Sequence, residues 1–339
     1  MAETNLQILL ARRPVGAPVP EDFAIVETPL PEPGEGQVLV RARFLSLDPY
    51  MRGRMADVKS YAKPVALGAV MEGQTAGEVV ASRHPGFAPG DTVLGGFGWQ
   101  RFSIVGPERL FKVPATDPPL SASLGVLGMP GLTAWTGLED IGQPKAGETV
   151  VVSAASGAVG QVAGQIAKIR GCRVVGVAGG AKKCDFVVKE LGFDACLDHH
   201  GDLDAQLDAA APAGIDVYWE NVGGKVQAAV FPRLNDFGRM VMCGMIAQYN
   251  EAPGADAAGA PPGPNLGPVV RKRLRIQGFI VSDTGWARYG TFRAQMEGWI
   301  REGRMRWRED VVDGLRQAPS AFIGLLKGAN FGKLVVRVD

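Results

Sequence analysis

The stretch Glu148-Thr-Val-Val-Val-Ser-Ala-Ala-Ser-Gly-Ala-Val-Gly160 decides the fold. Thr149 to Ser153 is a short β-branched run of the kind a strand buried on both faces needs, and Val159, Val162, Ile166 and Ile169 then recur at helical spacing. The turn between them is Ala155-x-Gly157-x-x-Gly160, the dinucleotide fingerprint with alanine where the usual pattern begins with glycine. Gly157 lets backbone approach a pyrophosphate, Gly160 lets the helix pack close to the strand, and free N–H groups of Ala158, Val159 and Gly160 at the helix start face the anion. A second apolar run, Arg173 to Ala178, supplies the βαβ context that a bare glycine turn lacks.

The end of that second run carries the next inference. An enzyme choosing NAD commonly places Asp or Glu about 20 residues beyond the turn, to hold the ribose 2′-OH. Here the residues are Ala178-Gly-Gly-Ala-Lys-Lys183. Two lysines and no carboxylate favour a 2′-phosphate, hence NADPH over NADH. The other reading, in which Lys182 and Lys183 simply open the next helix as solvated residues, stays open on spacing alone.

Length and composition bound the rest. A chain of 339 residues, 46% hydrophobic, has material for two cores. Its formal net charge of +1 gives no electrostatic reason to expect nucleic acid or an anionic membrane as partner. The basic cluster Arg271, Lys272, Arg273, Arg275 reads as a solvated helix face. No apolar run approaches a membrane span, and Met1-Ala-Glu-Thr-Asn5 lacks the features of a signal peptide, so a soluble, cytoplasmic protein is expected. The four cysteines, at 172, 184, 196 and 243, form no C-x-x-C pair and no disulfide framework.

Working outward, the N-terminal part reads as β. Leu6, Ile8 and Leu10 alternate, as do Val38, Val40, Ala42 and Phe44, and Phe87 to Val93 is a Pro-Gly-Asp turn between short strands, so residues 1 to about 124 form a small barrel. Within it, Ser46-Leu-Asp-Pro-Tyr-Met-Arg-Gly-Arg54 places Tyr50 and Arg52 on a turn that either lines a substrate pocket or is a surface feature. Gly128 to Ala134 opens a helical segment. After the fingerprint come Val174–Ala178 (strand), Lys183–Leu191 (helix), then Asp194–Leu197, Ile215–Glu220 and Arg239–Gly244 (strands): a doubly wound parallel sheet. Ligands lie beyond the carboxyl ends of such strands, which places Asn221 and Tyr249 at the ligand edge. Asn250 to Pro268, rich in Ala, Gly and Pro, reads as a lid or binding loop. Gly278 to Val281 restores a strand, Phe292, Met296 and Ile300 mark a helix, and Lys333 to Val338 ends as a strand that returns to the first domain.

With these pieces in place the chain resembles the zinc-free branch of the medium-chain dehydrogenase/reductase superfamily, within it the prostaglandin reductase, alkenal double-bond reductase and bacterial curcumin reductase group. The carrying motifs are Leu47-Asp-Pro-Tyr-Met-Arg-Gly53, Gly128-Met-Pro-Gly-Leu-Thr-Ala134, Ala154-Ala-Ser-Gly-Ala-Val-Gly-Gln161, Gly176-Val-Ala-Gly-Gly-Ala-Lys-Lys183, Glu220-Asn-Val-Gly-Gly224, Cys243-Gly-Met-Ile-Ala-Gln-Tyr-Asn250 and Asn330-Phe-Gly-Lys333. The resemblance implies a GroES-like β-barrel catalytic domain (1–124 and 298–339), a Rossmann domain (125–297), NADPH, no metal and a homodimer. It implies that Gly157 to Gly160 hold the pyrophosphate and Lys183 the 2′-phosphate, with His199 standing where many relatives have tyrosine. It further implies that Asn221, Cys243, Gly244, Met245, Ile246, Tyr249, Phe279, Ile280, Val281 and Asn330 line the rest of the NADPH site, and that Tyr50 and Tyr249 face the substrate.

The expectation of no metal also follows from the residues. A catalytic zinc needs three protein ligands, yet residues 1 to 171 contain no cysteine and only His84, and Met71-Glu-Gly-Gln-Thr-Ala-Gly77 carries no imidazole. The implied chemistry is reduction of the C=C bond of an α,β-unsaturated ketone or aldehyde, small-molecule substrates that receive hydride at the β-carbon. Tyr249, with the cofactor ribose 2′-OH, then stabilises the enolate oxygen, and the α-carbon takes a proton from water or a tyrosine. A quinone oxidoreductase of the same superfamily and a non-catalytic NADPH-binding protein are the rival readings.

Overall fold

The structure is a computed structural model and describes residues 3–113, 118–251 and 266–339. Two sheets carry the architecture. The fingerprint strand, Thr149–Ser153, is buried at all five positions because Val150 and Val152 enter one core while Val151 enters the other. Full burial of a valine side chain contributes on the order of 1.5–3 kcal/mol, so this strand anchors both faces of the layer it sits in. Around it a six-stranded sheet runs in the order Ala195–Asp198, Arg173–Ala178, Thr149–Ser153, Ile215–Glu220, Leu234–Met242, Arg275–Gly278, every pair parallel. The switch in strand order falls between Thr149–Ser153 and Ile215–Glu220, where a crevice opens at the carboxyl ends.

The seven-stranded sheet is mixed. Val38–Ser46 pairs antiparallel with Thr75–Ser82 on one side and, end to end on the other, with Phe102–Val105 and Lys333–Arg337, and Glu309–Asp313 then runs parallel to Lys333–Arg337. Thr4–Leu10 and Phe23–Pro29 form a separate antiparallel pair whose inward residues Leu6, Ile8 and Leu10 pack on Trp99 and Phe322. The chain therefore has a GroES-like β part and a parallel-sheet Rossmann part.

Several local expectations change. Phe279 and Ile280 follow the strand Arg275–Gly278 instead of continuing it, and Val281 opens the helical turn Val281–Thr284. An apolar run does not by itself distinguish a strand from a loop that lines a pocket. Arg239 to Gly244 begins earlier and stops sooner, as Leu234–Met242. Short helices at Leu203–Ala210, Gly224–Val230 and Ala318–Leu326 carry weaker patterns; the first is capped by Asp202, whose carboxylate accepts from the Ala205 N–H at 3.1 Å. Most of the expected Asn250–Pro268 loop lies outside the described residues. No helix is long and apolar enough to cross a membrane among those described.

Two glutamines of the helix Gly160–Ile169 tie the layers together. Gln161 and Gln165, both buried, act as if they were a neighbouring strand for residues 306 to 308: the N–H groups of Arg306 and Arg308 donate to Gln165 Oε1 at 2.8 Å and Gln161 Oε1 at 3.0 Å, and the amide Nε2 of Gln165 donates back to Arg306 O at 2.7 Å.

At the other side Lys333, 1% exposed, donates from Nζ to Leu47 O at 2.8 Å and Asp48 Oδ1 at 3.0 Å, while Ser46 Oγ donates to the other oxygen of Asp48. The last strand is thereby pinned to the segment that leads into Tyr50. Lys333→Met should cost about 3–5 kcal/mol in urea unfolding, because it strands the buried Asp48 carboxylate without its counter-charge; a loss below about 1 kcal/mol would show that the pair carries no such burden.

Candidate active site

The crevice is a cavity of about 650 Å³ that runs from the fingerprint turn to a cluster of tyrosines. Its floor is set by a buried carboxylate. Glu220, fully buried, accepts from Ser153 Oγ at 2.8 Å, Tyr218 OH at 2.8 Å and the Val222 N–H at 2.6 Å. Asn221 completes the knot by donating its N–H to Ser153 Oγ and its Nδ2 to Ser153 O, each at 2.7 Å, with its Oδ1 accepting from Trp219 Nε1 at 3.1 Å. The ends of the two central strands are thus lashed together where the turn begins.

The turn itself leaves the strand through Ala154, which sits at φ 49°, a left-handed conformation unusual for a residue with a Cβ. Its carbonyl accepts from the Gly157 N–H at 2.9 Å and explains the second glycine, since a Cβ at Gly160 would lie 2.2 Å from Ala154 O. A Cβ at Gly157 would lie 3.1 Å from the same oxygen. Among the described residues nothing accepts from the N–H groups of Ala158 and Val159, which open the helix Gly160–Ile169 at the cavity wall. Unpaired amides at a helix start match the chemistry of a phosphate.

At the end of Arg173–Ala178 the cavity is lined by Gly179, Lys183, His199 and His200, and across from them by Gly328 and Asn330. Lys183 Nζ donates to Gly328 O at 2.7 Å, and burial holds its pKa below the usual lysine value. The nearby carboxylate, Asp198, does not line the cavity: its Oδ1 accepts from the Gly180 N–H at 2.9 Å and the His200 N–H at 3.1 Å and meets His200 Nδ1 at 2.8 Å, and those bonds lower its pKa to about 2. The His199 ring lies 4.2 Å from that of His200, tilted against it, and burial, then the neighbouring imidazole, pushes its pKa down. With a lysine and two imidazoles lining the cavity and that carboxylate outside its lining, the residues fit a phosphate on the ribose.

At the far end Tyr249 follows the short turn Ile246–Gln248, and its hydroxyl accepts from the Met245 N–H at 3.3 Å. Gly244 leaves room for it, since a Cβ there would lie 2.9 Å from Tyr249 OH. Burial raises the Tyr249 pKa, and burial together with Asp48 raises that of Tyr50. Burial also pushes the Cys243 thiol up to about 12, which makes it a wall and a poor nucleophile.

The structure brings Gly157, Ala158, Val159, Gly160, Lys183, His199, Asn221, Cys243, Gly244, Ile246, Tyr249, Phe279, Ile280, Val281, Asn330 and Tyr50 to this one cavity. Met245 does not line it; its part is the N–H that holds Tyr249. Arg52, expected at the substrate end, is not there either. It is buried on the opposite side of its helical turn, donating to Gly16 O at 2.8 Å. Arg54 takes the place instead, its guanidinium over the ring of Tyr61 at 4.6 Å and of Tyr50 at 5.6 Å, with Glu72 beside it. The turn Met51–Arg54 puts Arg54 four residues from Tyr50 and so on the same face, a signal the sequence held. Tyr61 and Glu72 had none. Among the described residues no group of three or more His, Cys, Asp or Glu side chains could hold a metal ion.

Against known proteins, residues 6–113 match the family described as N-terminal domain of oxidoreductase and residues 158–298 the family described as zinc-binding dehydrogenase. The chain is 53% identical to the NADPH-dependent curcumin reductase of Escherichia coli, over 99% of this chain and 97% of that one. It is 42% identical to the NADP(+)-dependent 2-alkenal reductase of Nicotiana tabacum, over 100% and 99%. The crystal structure of CurA in complex with NADPH from Vibrio vulnificus superposes with a TM-score of 0.92 at 49% identity, covering 98% of this chain and 99% of that one.

If Lys183 reads a 2′-phosphate, Lys183→Ala should raise KM for NADPH by about tenfold or more and leave KM for NADH within about twofold, since only the phosphorylated coenzyme loses a charge-assisted contact. Steady-state kinetics with both coenzymes decides it, and equal effects would remove the assignment.

Proposed function

The chain belongs to the zinc-independent branch of the medium-chain dehydrogenase/reductase superfamily, and we propose that it is an NADPH-dependent reductase of the C=C bond in α,β-unsaturated ketones and aldehydes. One observation carries the reading: a single cavity joins the amide turn and Lys183 to Tyr50, Tyr61 and Tyr249. When bound, NADPH supplies the hydride that the β-carbon takes.

The protein's own residues do the rest. The Ala158 and Val159 amides hold the pyrophosphate, Lys183 and His199 hold the 2′-phosphate, and Asn221, Cys243 and Phe279 to Val281 shape the wall along the remainder of the coenzyme. The Tyr249 hydroxyl donates to the substrate carbonyl oxygen as negative charge gathers there, a role worth a few kcal/mol in a site that excludes water. Its donor state is secured by burial: a phenol whose pKa is raised stays protonated to higher pH than a free one, so it serves as donor and not as base. The α-carbon proton comes from water or a tyrosine.

We also propose a homodimer. Arg275–Gly278 is the last strand on its edge of the parallel sheet, all four residues exposed, and Val270 (79% exposed) and Leu266 (58%) stand on the helix side of the same edge. An unpaired strand edge flanked by exposed apolar side chains favours a second copy. Ile276→Lys should shift the chain toward monomer in light scattering after gel filtration; an unchanged mass would place any interface elsewhere.

For the chemistry, Tyr249→Phe should lower kcat on a small alkenone by roughly tenfold or more with the Kd for NADPH nearly intact, and the wild-type kcat should hold to higher pH than an ordinary tyrosine would allow before the phenol ionises. Unchanged turnover in the variant removes Tyr249 from the mechanism, and faster turnover of a quinone than of any alkenone in the same assay would replace the enone reading.

A further inference from the structure

Two of the four thiols touch each other. Cys172 is buried and donates to Lys145 O, and Cys243 walls the cavity. Cys184 lies in the helix Ala181–Lys189 and Cys196 in the strand Ala195–Asp198, and the Cys196 thiol donates to Cys184 Sγ at 3.0 Å. Both are half-buried, and neither lines the cavity. Sulfurs at that distance need close by only roughly 1 Å to form a covalent S–S bond.

The asymmetry of the contact sets the order of events in an oxidation. Burial raises the pKa of both thiols; the S–H that Cys196 donates works against this at Cys184, whereas at Cys196 the same bond adds to it. Cys184 is therefore the sulfur that attacks. With hydrogen peroxide, the Cys184 thiolate attacks one peroxide oxygen, the O–O bond breaks, and hydroxide leaves with a proton as water, so that Cys184 becomes a sulfenic acid. The Cys196 sulfur then attacks the Cys184 sulfur, and the Cys196 proton departs with the sulfenic hydroxyl as a second water. The thiols lose two electrons and the peroxide gains them.

The bond formed joins the two segments that present a lysine and an imidazole to the coenzyme. Lys183 directly precedes Cys184, and its Nζ reaches Gly328 O at 2.7 Å; His199, three residues beyond Cys196, donates its N–H to Ala178 O at 3.0 Å. Among the described residues Ala195–Asp198 is the outermost strand of the parallel sheet and pairs only with Arg173–Ala178, so this strand and the first turn of the helix are the parts that yield when the sulfurs close. A charge-assisted bond from an ammonium to a phosphate oxygen weakens steeply with a displacement of roughly 1 Å.

We infer that Cys184 and Cys196 form a reversible disulfide under a hydroperoxide, and that this disulfide selectively lowers affinity for the phosphorylated coenzyme. The inference rests on the reading of Lys183 and His199 as 2′-phosphate ligands and is independent of the substrate.

The full chain is treated with hydrogen peroxide, blocked with N-ethylmaleimide in denaturant and digested with trypsin. Peptides 184–189 and 190–225, which cleavage after Lys183, Lys189 and Lys225 releases, should appear by mass spectrometry as one cross-linked species that dithiothreitol splits. Kd values for NADPH and NADH are read from coenzyme fluorescence with no substrate present. The oxidised chain should bind NADPH at least about fivefold more weakly than the reduced chain and NADH within about twofold of it, and dithiothreitol should restore the NADPH value. Cys184→Ser and Cys196→Ser, treated alike, should form no cross-link and keep the NADPH Kd of the reduced wild type, which separates the disulfide from oxidation at Cys243. Absence of the cross-link, a cross-linked chain whose NADPH Kd stays within about twofold, or equal weakening in the serine variants overturns the inference. A reduced chain that binds NADPH no more tightly than NADH sinks the 2′-phosphate reading; one that does discriminate, with no change on oxidation, sinks this inference alone.

Discussion

A carboxylate taken wholly out of water must find hydrogen-bond donors or give up its charge, and Glu220 meets that constraint with a serine, a tyrosine and a backbone amide. Its partners lie on, or just beyond, the two strands flanking the point where the strand order switches. The site depends on this knot because Ser153 ends the strand that feeds the glycine turn, and Asn221 begins the segment that runs opposite it. Were those ends free to separate, neither the amides of Ala158 and Val159 nor the loop carrying Tyr249 would have a fixed relation to the other.

From that fixed point the rest follows by local sterics. The strained Ala154 carbonyl turns inward, which excludes any side chain at Gly160 and brings the helix start against the strand end. Gly244 plays the corresponding part for Tyr249, leaving its hydroxyl space that a methyl group would take. Asp198 is the instructive case among the charges. It is a carboxylate near the coenzyme region, but its Oδ1 accepts from the Gly180 amide and meets His200, so it organises the loop around Lys183, and it does not line the cavity.

What could be read from the residues alone was whatever depends on near neighbours. The β-branched run, the glycine spacing and the apolar repeat of the next helix are local, and so is the rule that ligands sit after strand ends, which put Asn221 and Tyr249 at the cavity. Contacts between distant segments were not legible. Nothing adjacent to Tyr61 or Glu72 announces that Arg54 will meet them, and of two arginines two residues apart it is Arg54 that lines the cavity while Arg52 turns toward Gly16. Nor does the sequence show that Lys333 and Glu220 are buried, because burial of a charge is decided by partners far along the chain: Asp48 for the one, Ser153 for the other. Phe279 to Val281 read as strand because apolar character marks a pocket wall and a sheet equally well.

The clasp of Gln161 and Gln165 on residues 306 to 308 bears on how such proteins are recombined. A chimera that transplants the nucleotide-binding half from one relative into another, cut where the sheets change, would separate those amide side chains from the backbone they read. The two side-chain amides on the graft, including Gln161 Nε2, which donates to Arg308 O at 3.3 Å, and the N–H and C=O groups of Arg306 and Arg308 on the host would be left facing one another in a new register. The smallest exchangeable module therefore includes the short return segment as well as the helix that grips it.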